Sequence, residues 1–145
     1  PDVWQRRLTT QLEWDLENSR SLKLVPEGIL LEGYAGRDPQ TGAPLHCLSV
    51  IAYLVRQEKD ATHLVRQETH PASLSLHNTW TELVCAHVER IELRHAGRGD
   101  GKQSSNASPA PGKGIPNGPI PDQLRVALYK KGNASPIYSN DFALR

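Results

Sequence analysis

The chain has 145 residues, 37% of them hydrophobic and 23% charged, with a formal net charge of +1. That length suits one domain able to bury a real core without stapling, and the even spread of 17 basic against 16 acidic residues argues against a basic nucleic-acid surface. No apolar run reaches the length of a membrane span, since the longest, residues 47–55, is strand-sized.

The first predicted element is a helix over residues 3–22. Trp4, Leu8, Leu12 and Leu16 recur every fourth position, which stacks them along one helix face. Arg6, Arg7, Thr9, Thr10, Glu13, Asp15, Glu17 and Asn18 fall between them and are expected in water. The helix should end near residues 19–21. No comparable helical period follows, so the chain reads as α+β: one N-terminal amphipathic helix packed on antiparallel β-sheet. It begins at Pro1 and contains no Met, which reads as a processed or truncated fragment.

Residues 21–25 alternate as a strand, Pro26-Glu27-Gly28 turns the chain, and residues 29–34 return. Residues 37–44 form a loop around Asp38-Pro39 and Gly42. Residues 46–56 are apolar on both faces, as expected of a central strand covered on both sides, with the helix as one cover. The pentapeptide Leu-Val-Arg-Gln-Glu occurs at 54–58 and again at 64–68. It reads as an echo within two strands of one hairpin, because two copies ten positions apart are too few and too short for a solenoid.

Residues 71–77 read as loop, 80–85 as either a strand or a helical turn, and 87–95 as a strand carrying Ile91 and Leu93 on one face. Residues 97–121 hold six of the eleven Gly and five of the eleven Pro, a composition that predicts a long mobile loop. The strand pattern resumes at 123–130, Gly132-Asn133 signals a turn, and 135–144 supply a last strand, expected to break near Asn140-Asp141.

The chemistry-bearing residues are scattered. Cys47 and Cys85 lie too far apart for a CxxC signature; a disulfide between them and two buried free thiols both fit. The six histidines form no HxxxH or HxH pair, so scattered surface histidines are expected rather than a metal site. His46 facing His63 across strands is the one pairing that would bear on that. Glu13 and Glu17 share a helix face as a solvated or partner-facing patch, and no calcium-loop pattern surrounds Asp100 or Asp141. Cys85 and His87 make a loose pair at best, and no GxSxG is present. Arg98-Gly99-Asp100 spells the integrin-binding tripeptide, read here as flexible loop, and the acceptor patterns at Asn106 and Asn133 matter only in a eukaryotic secretory setting.

Residues 7–19 (Arg-Leu-Thr-Thr-Gln-Leu-Glu-Trp-Asp-Leu-Glu-Asn-Ser) look like the exposed second half of a pilin spine helix. The runs at 28–33, 49–55, 62–68, 88–94 and 120–128, with the last strand at 137–144, follow it in an order that resembles the minor pseudopilins of type II secretion systems, J class. The resemblance spans nearly the whole chain, although the membrane half of the spine and its processing site are not in this sequence.

What the resemblance implies is a pilin-like fold over residues 1–145, with 1–21 as the remaining spine and 22–145 as the β domain. It implies no catalytic residue, no cofactor and no metal. It further implies a place in the pseudopilus tip complex with I-like and K-like minor pseudopilins, and contact with secreted cargo or the outer-membrane secretin. In such a protein the full-length chain is anchored in the bacterial inner membrane and faces the periplasm. Trp4, Leu8, Gln11 and Trp14 are then the candidates for the helix faces that meet core and partners, with Trp14, off the main stripe, as the foremost partner-facing residue. A minor pilin of a type IV pilus shares this architecture. From other classes, a small periplasmic hydrolase using Cys85 and His87 or an Asp/His pair, and an adhesive module using the tripeptide, are the rival readings.

Overall fold

A computed structural model describes residues 2–71, 78–96 and 114–144. The one helix among the described residues, α1 (Val3–Glu17), opens with the Asp2 carbonyl accepting from the amides of Gln5 and Arg6. It closes where Asn18 intervenes: both the backbone amide and the side-chain amide of Asn18 donate to the Trp14 carbonyl, at 3.0 and 2.9 Å. A side chain that competes for backbone acceptors ends a helix readily. The helix is therefore shorter than the expected 3–22, and Leu22 enters the core from a strand.

Nine strands follow among the described residues: β1 (Ser19–Val25), β2 (Gly28–Gly33), β3 (Ser49–Glu58), β4 (Ala61–Thr69), β5 (Thr79–Ala86), β6 (Arg90–His95), β7 (Gly118–Pro119), β8 (Gln123–Tyr129) and β9 (Tyr138–Ala143). All paired neighbours run antiparallel. One sheet has the order β5-β4-β3-β2-β1-β7 and the other β6-β8-β9. Residues 80–85, ambiguous in sequence, belong to strand β5. The last strand runs through Asn140-Asp141 without the expected break, held by Arg125 opposite Asp141 in the ladder.

The helix and both sheets share one core. Leu8, Leu12 and Leu16 of α1 pack with Leu22, Ile29, Leu31, Ile51, Tyr53 and Leu64 of the larger sheet and with Leu93, Leu124, Val126, Leu128 and Phe142 of the smaller. Each fully buried leucine contributes about 2 kcal/mol of apolar transfer. Ala52 and Leu54 are buried as well, but alternation turns them to the face of β3 away from this cluster.

The echoed pentapeptide does fall in the two strands of one hairpin. Leu54 pairs with Val65 and Val55 with Leu64, around the two-residue turn Lys59-Asp60. Lys59 takes the left-handed conformation (φ 55°) that such turns require. At the neighbouring junction, a Cβ on Gly28 would collide with the Tyr53 carbonyl, so only glycine lets β2 approach β3 there.

The predicted mobile loop 97–121 needs correction at its end. Residues 97–113, with Arg98-Gly99-Asp100 and Asn106, lie outside the described residues, as do 72–77 of the predicted 71–77 loop. From Gly114 onward the chain is built into the fold: Ile115 is buried, β7 pairs with β1, and Asn117 Oδ1 accepts from the Leu24 amide at 2.7 Å. Two isoleucines, Ile115 and Ile120, supply the apolar contact that the average composition of the segment conceals.

Candidate functional site

The most unusual chemistry lies between helix and sheet. Asp15 is fully buried on α1, against the expectation that it faces water. Arg66 Nε and Nη2 each donate to its carboxylate at 2.8 Å, the Tyr53 hydroxyl donates at 2.6 Å and Gln11 Nε2 at 3.1 Å. The chain of contacts continues outward. Arg66 Nη2 reaches Glu68 Oε1 at 3.1 Å, while Glu68 Oε2 accepts from His70 Nε2 at 2.7 Å and from the Arg37 amide at 3.0 Å. The His70 ring in turn lies 4.7 Å from the Trp80 ring.

Two periodicities bring these groups together. On α1, Asp15 stands seven positions from Leu8 and three from Leu12, so a stripe of ordinary width includes it. On β4, alternation puts Leu64, Arg66 and Glu68 on one face, His70 just beyond the strand continues it, and all four are buried. Pairing of Tyr53 with Arg66 then sets phenol beside guanidinium. Three ionisable residues alternating with a buried leucine were the sequence signal for this cluster. Its helix partner is hidden because Asp15 falls outside the fourfold spacing of Trp4, Leu8, Leu12 and Leu16.

Electrostatics keeps Arg66 charged and Tyr53 protonated. Burial works against the Arg66 charge, but hydrogen bonding and attraction from Asp15 outweigh it and raise its pKa. Burial, then the Asp15 charge, pushes the Tyr53 hydroxyl well above its ordinary value, so it remains a donor. With both Asp15 oxygens each accepting two bonds, the arrangement fastens helix to sheet and leaves no free lone-pair direction for a substrate.

Leu8, a candidate for the helix faces that meet core and partners, lies in the core, 4% exposed. Trp4 is half-buried against the core, its ring 6.1 Å from that of Tyr138. Gln11 is half-buried and serves the Asp15 network. Trp14 is half-buried under cover from its own chain: its indole N–H donates to the Ala35 carbonyl at 2.8 Å, and the Arg37 guanidinium lies 4.0 Å above its ring. That intramolecular cover removes the cost of exposing a tryptophan, which was the reason for turning it toward a partner.

Cys47 and Cys85 are both free. Cys85 pairs with Leu64, and Leu64 with Val55, whereas Cys47 precedes Ser49 at the other end of β3. That strand length is about 20 Å, far beyond the roughly 7 Å Cα limit of a disulfide. Burial raises the Cys85 thiol pKa against the pull of Lys130. His63 meets His87, rings 5.9 Å apart, rather than His46. His87 itself follows β5 in a left-handed conformation (φ 64°) and its amide donates to His63 Nδ1. Among the described residues no three ligating side chains gather as a metal site.

The outward side of α1 is the remaining candidate surface. Arg6, Arg7, Glu13 and Glu17 are exposed and make no ion pair among the described residues. Two open grooves border this ridge: one of ≈ 580 Å³ between Arg6, Thr10 and the segment entering β9, the other of ≈ 310 Å³ between Arg7, Gln11 and Arg37. No family model matches the chain, and neither the curated proteins nor the solved structures contain a match to it.

Proposed function

We propose that this chain is a minor pseudopilin of a type II secretion system, a non-enzymatic subunit that joins I-like and K-like minor pseudopilins at the pseudopilus tip and supports protein export. The full-length protein is then held in the inner membrane with this domain in the periplasm. The observation that carries the reading is the unsatisfied outer ridge of α1. It bears basic charge in its first half (Arg6, Arg7) and acidic charge in its second (Glu13, Glu17), flanked by grooves, on a helix fixed to its sheet by a buried ion network. A helix that must transmit assembly forces benefits from such anchorage, and uncompensated surface charge selects partners more than it stabilises the monomer.

The test is co-purification with the I-like and K-like subunits encoded beside the gene. The unaltered chain is expected to form the ternary complex, and Arg6→Glu with Glu13→Arg to lose it while Lys131→Glu, exposed just beyond β8, retains it. No complex with the unaltered chain overturns the reading. Capture by type IV minor pilins alone transfers the same architecture to that system.

A further inference from the structure

The four sheet edges among the described residues are not treated alike. Beyond β1 the larger sheet ends in the two-residue β7, whose Pro119 cannot donate and which Pro116 and Pro121 flank. In the smaller sheet, β6 carries Arg90, Glu92 and Arg94, and β9 carries Asp141. Short strands, proline and charge are the usual means of keeping an edge from pairing. The edge of β5 has neither a short strand nor proline, and its charge is a single carboxylate. It is eight residues long, holds neither Pro nor Lys, and bears one charge, Glu82.

Its outer stripe is uncharged and, in its two threonines, β-favouring. Thr79, Thr81 and Leu83 are exposed, Leu83 at 63%, and among the described residues no strand pairs with that edge. A bulge between Leu64 and Val65 in the β4 pairing leaves Val84 as the extra residue, so the regular part of the edge is Thr79 to Leu83, centred on Thr81.

We infer that β5 pairs with β5 of a second copy, antiparallel about a twofold axis at Thr81, extending the six-stranded sheet across the dimer. The symmetry of the regular stretch makes the contact isologous and closed. This register sets Thr81 against its own copy and Thr79 against the exposed Leu83, pairs that sheets favour. It also sets Glu82 against Trp80, which avoids facing carboxylates. Each Glu82 is thereby delivered to the side of the partner's sheet where Arg7 lines a groove of ≈ 160 Å³ beside Arg66 and that copy's own Glu82, which lie 3.8 Å apart. Arg66 is already paired within its own chain, whereas Arg7 has no ion pair among the described residues and is the cation open to the incoming carboxylate. A five-residue ladder buries less than the roughly 1,200 Å² of a standard interface, so the dimer is reversible. The inference rests on the edge and is independent of the secretion reading.

Sedimentation equilibrium of the whole chain tests it. The mass is expected to double across a dilution series reaching roughly 0.5 mM, a range that detects weak association. Leu83→Lys and, separately, Thr81→Lys should each move the midpoint at least about tenfold upward, the cost of placing charge in the ladder. In a Cys47→Ser/Cys85→Ser background, Thr81→Cys should cross-link on mild oxidation, because facing Cα atoms lie about 4.5–5.5 Å apart. Ser139→Cys on β9 should not. A wild-type chain that stays monomeric overturns the inference, and so does a dimer that both lysine variants leave intact. Equal cross-linking of Thr81→Cys and Ser139→Cys overturns it too.

Discussion

Asp15 of the helix and Arg66 of β4, 51 positions apart, meet through two N–H···O bonds of 2.8 Å in the protein interior. A buried ion pair adds little over a well-packed apolar pair, because desolvating two charges offsets most of their attraction. Removing one partner is another matter, since the other is left charged and unmatched. The pair therefore acts chiefly on orientation: it allows one rotation and one translation of α1 over the sheet.

Asp15→Ala is expected to destabilise the fold by about 3–5 kcal/mol, read from the urea midpoint at constant m-value. The double variant Asp15→Leu/Arg66→Met should lose clearly less than the two single changes summed, since Glu68 keeps its bonds from His70 and the Arg37 amide. Additive losses would show that the pair is not coupled.

Tyr53→Phe keeps the ring and deletes one donor to Asp15, at an expected cost of about 1.5–3 kcal/mol near neutrality. The same change should alter alkaline behaviour. Burial, then Asp15, raises the Tyr53 hydroxyl above its ordinary 10.0, so the unfolded chain releases that proton first. Its contribution is fully present below about pH 10 and declines as pH climbs toward the folded value. Urea midpoints measured from roughly pH 8 to 11 should fall less steeply in Tyr53→Phe than in the unaltered protein. Cys85, raised from 9.0 by burial, adds a smaller decline of the same sign that Cys85→Ala removes.

Gly36→Ala should destabilise by about 1–3 kcal/mol, the usual range for overpacking. The added methyl would collide with the Ser49 hydroxyl and lie 2.9 Å from His70 Nε2. The His70 proton resonances are expected to shift as its bond to Glu68 is displaced. An unchanged thermal midpoint would mean the loop relaxes freely.

Lys59→Gly should stabilise the β3–β4 hairpin by about 0.5 kcal/mol, the balance between relieved left-handed strain and the larger entropy of an unfolded glycine. Lys59→Val, branched at Cβ, should do the reverse, and thermal midpoints report both.

Much of the architecture was legible in local patterns. The fourfold leucines announced α1, and alternation marked the strands at residues 123–130 and 29–34 to within a few positions of their observed limits. The ambiguity at residues 80–85 was resolved by pairing with β4, which no local signal contains. Trp14 was legible as lying off the stripe, but its cover comes from Ala35 and Arg37, brought by the chain beyond β2.

The two copies of Leu-Val-Arg-Gln-Glu draw the boundary most sharply. Identical residues have identical propensities, and both copies form strand, as their shared alternation requires. Yet Arg56 and Glu58 are exposed, whereas Arg66 and Glu68 are buried in an ion network. The sequence by itself determined that an amphipathic helix precedes antiparallel strands, because helix and strand periods are properties of neighbouring residues. Only the tertiary structure decided which arginine meets Asp15. That depends on strand register and on where the helix lies across the sheet, and both are selected by non-local packing of one shared core.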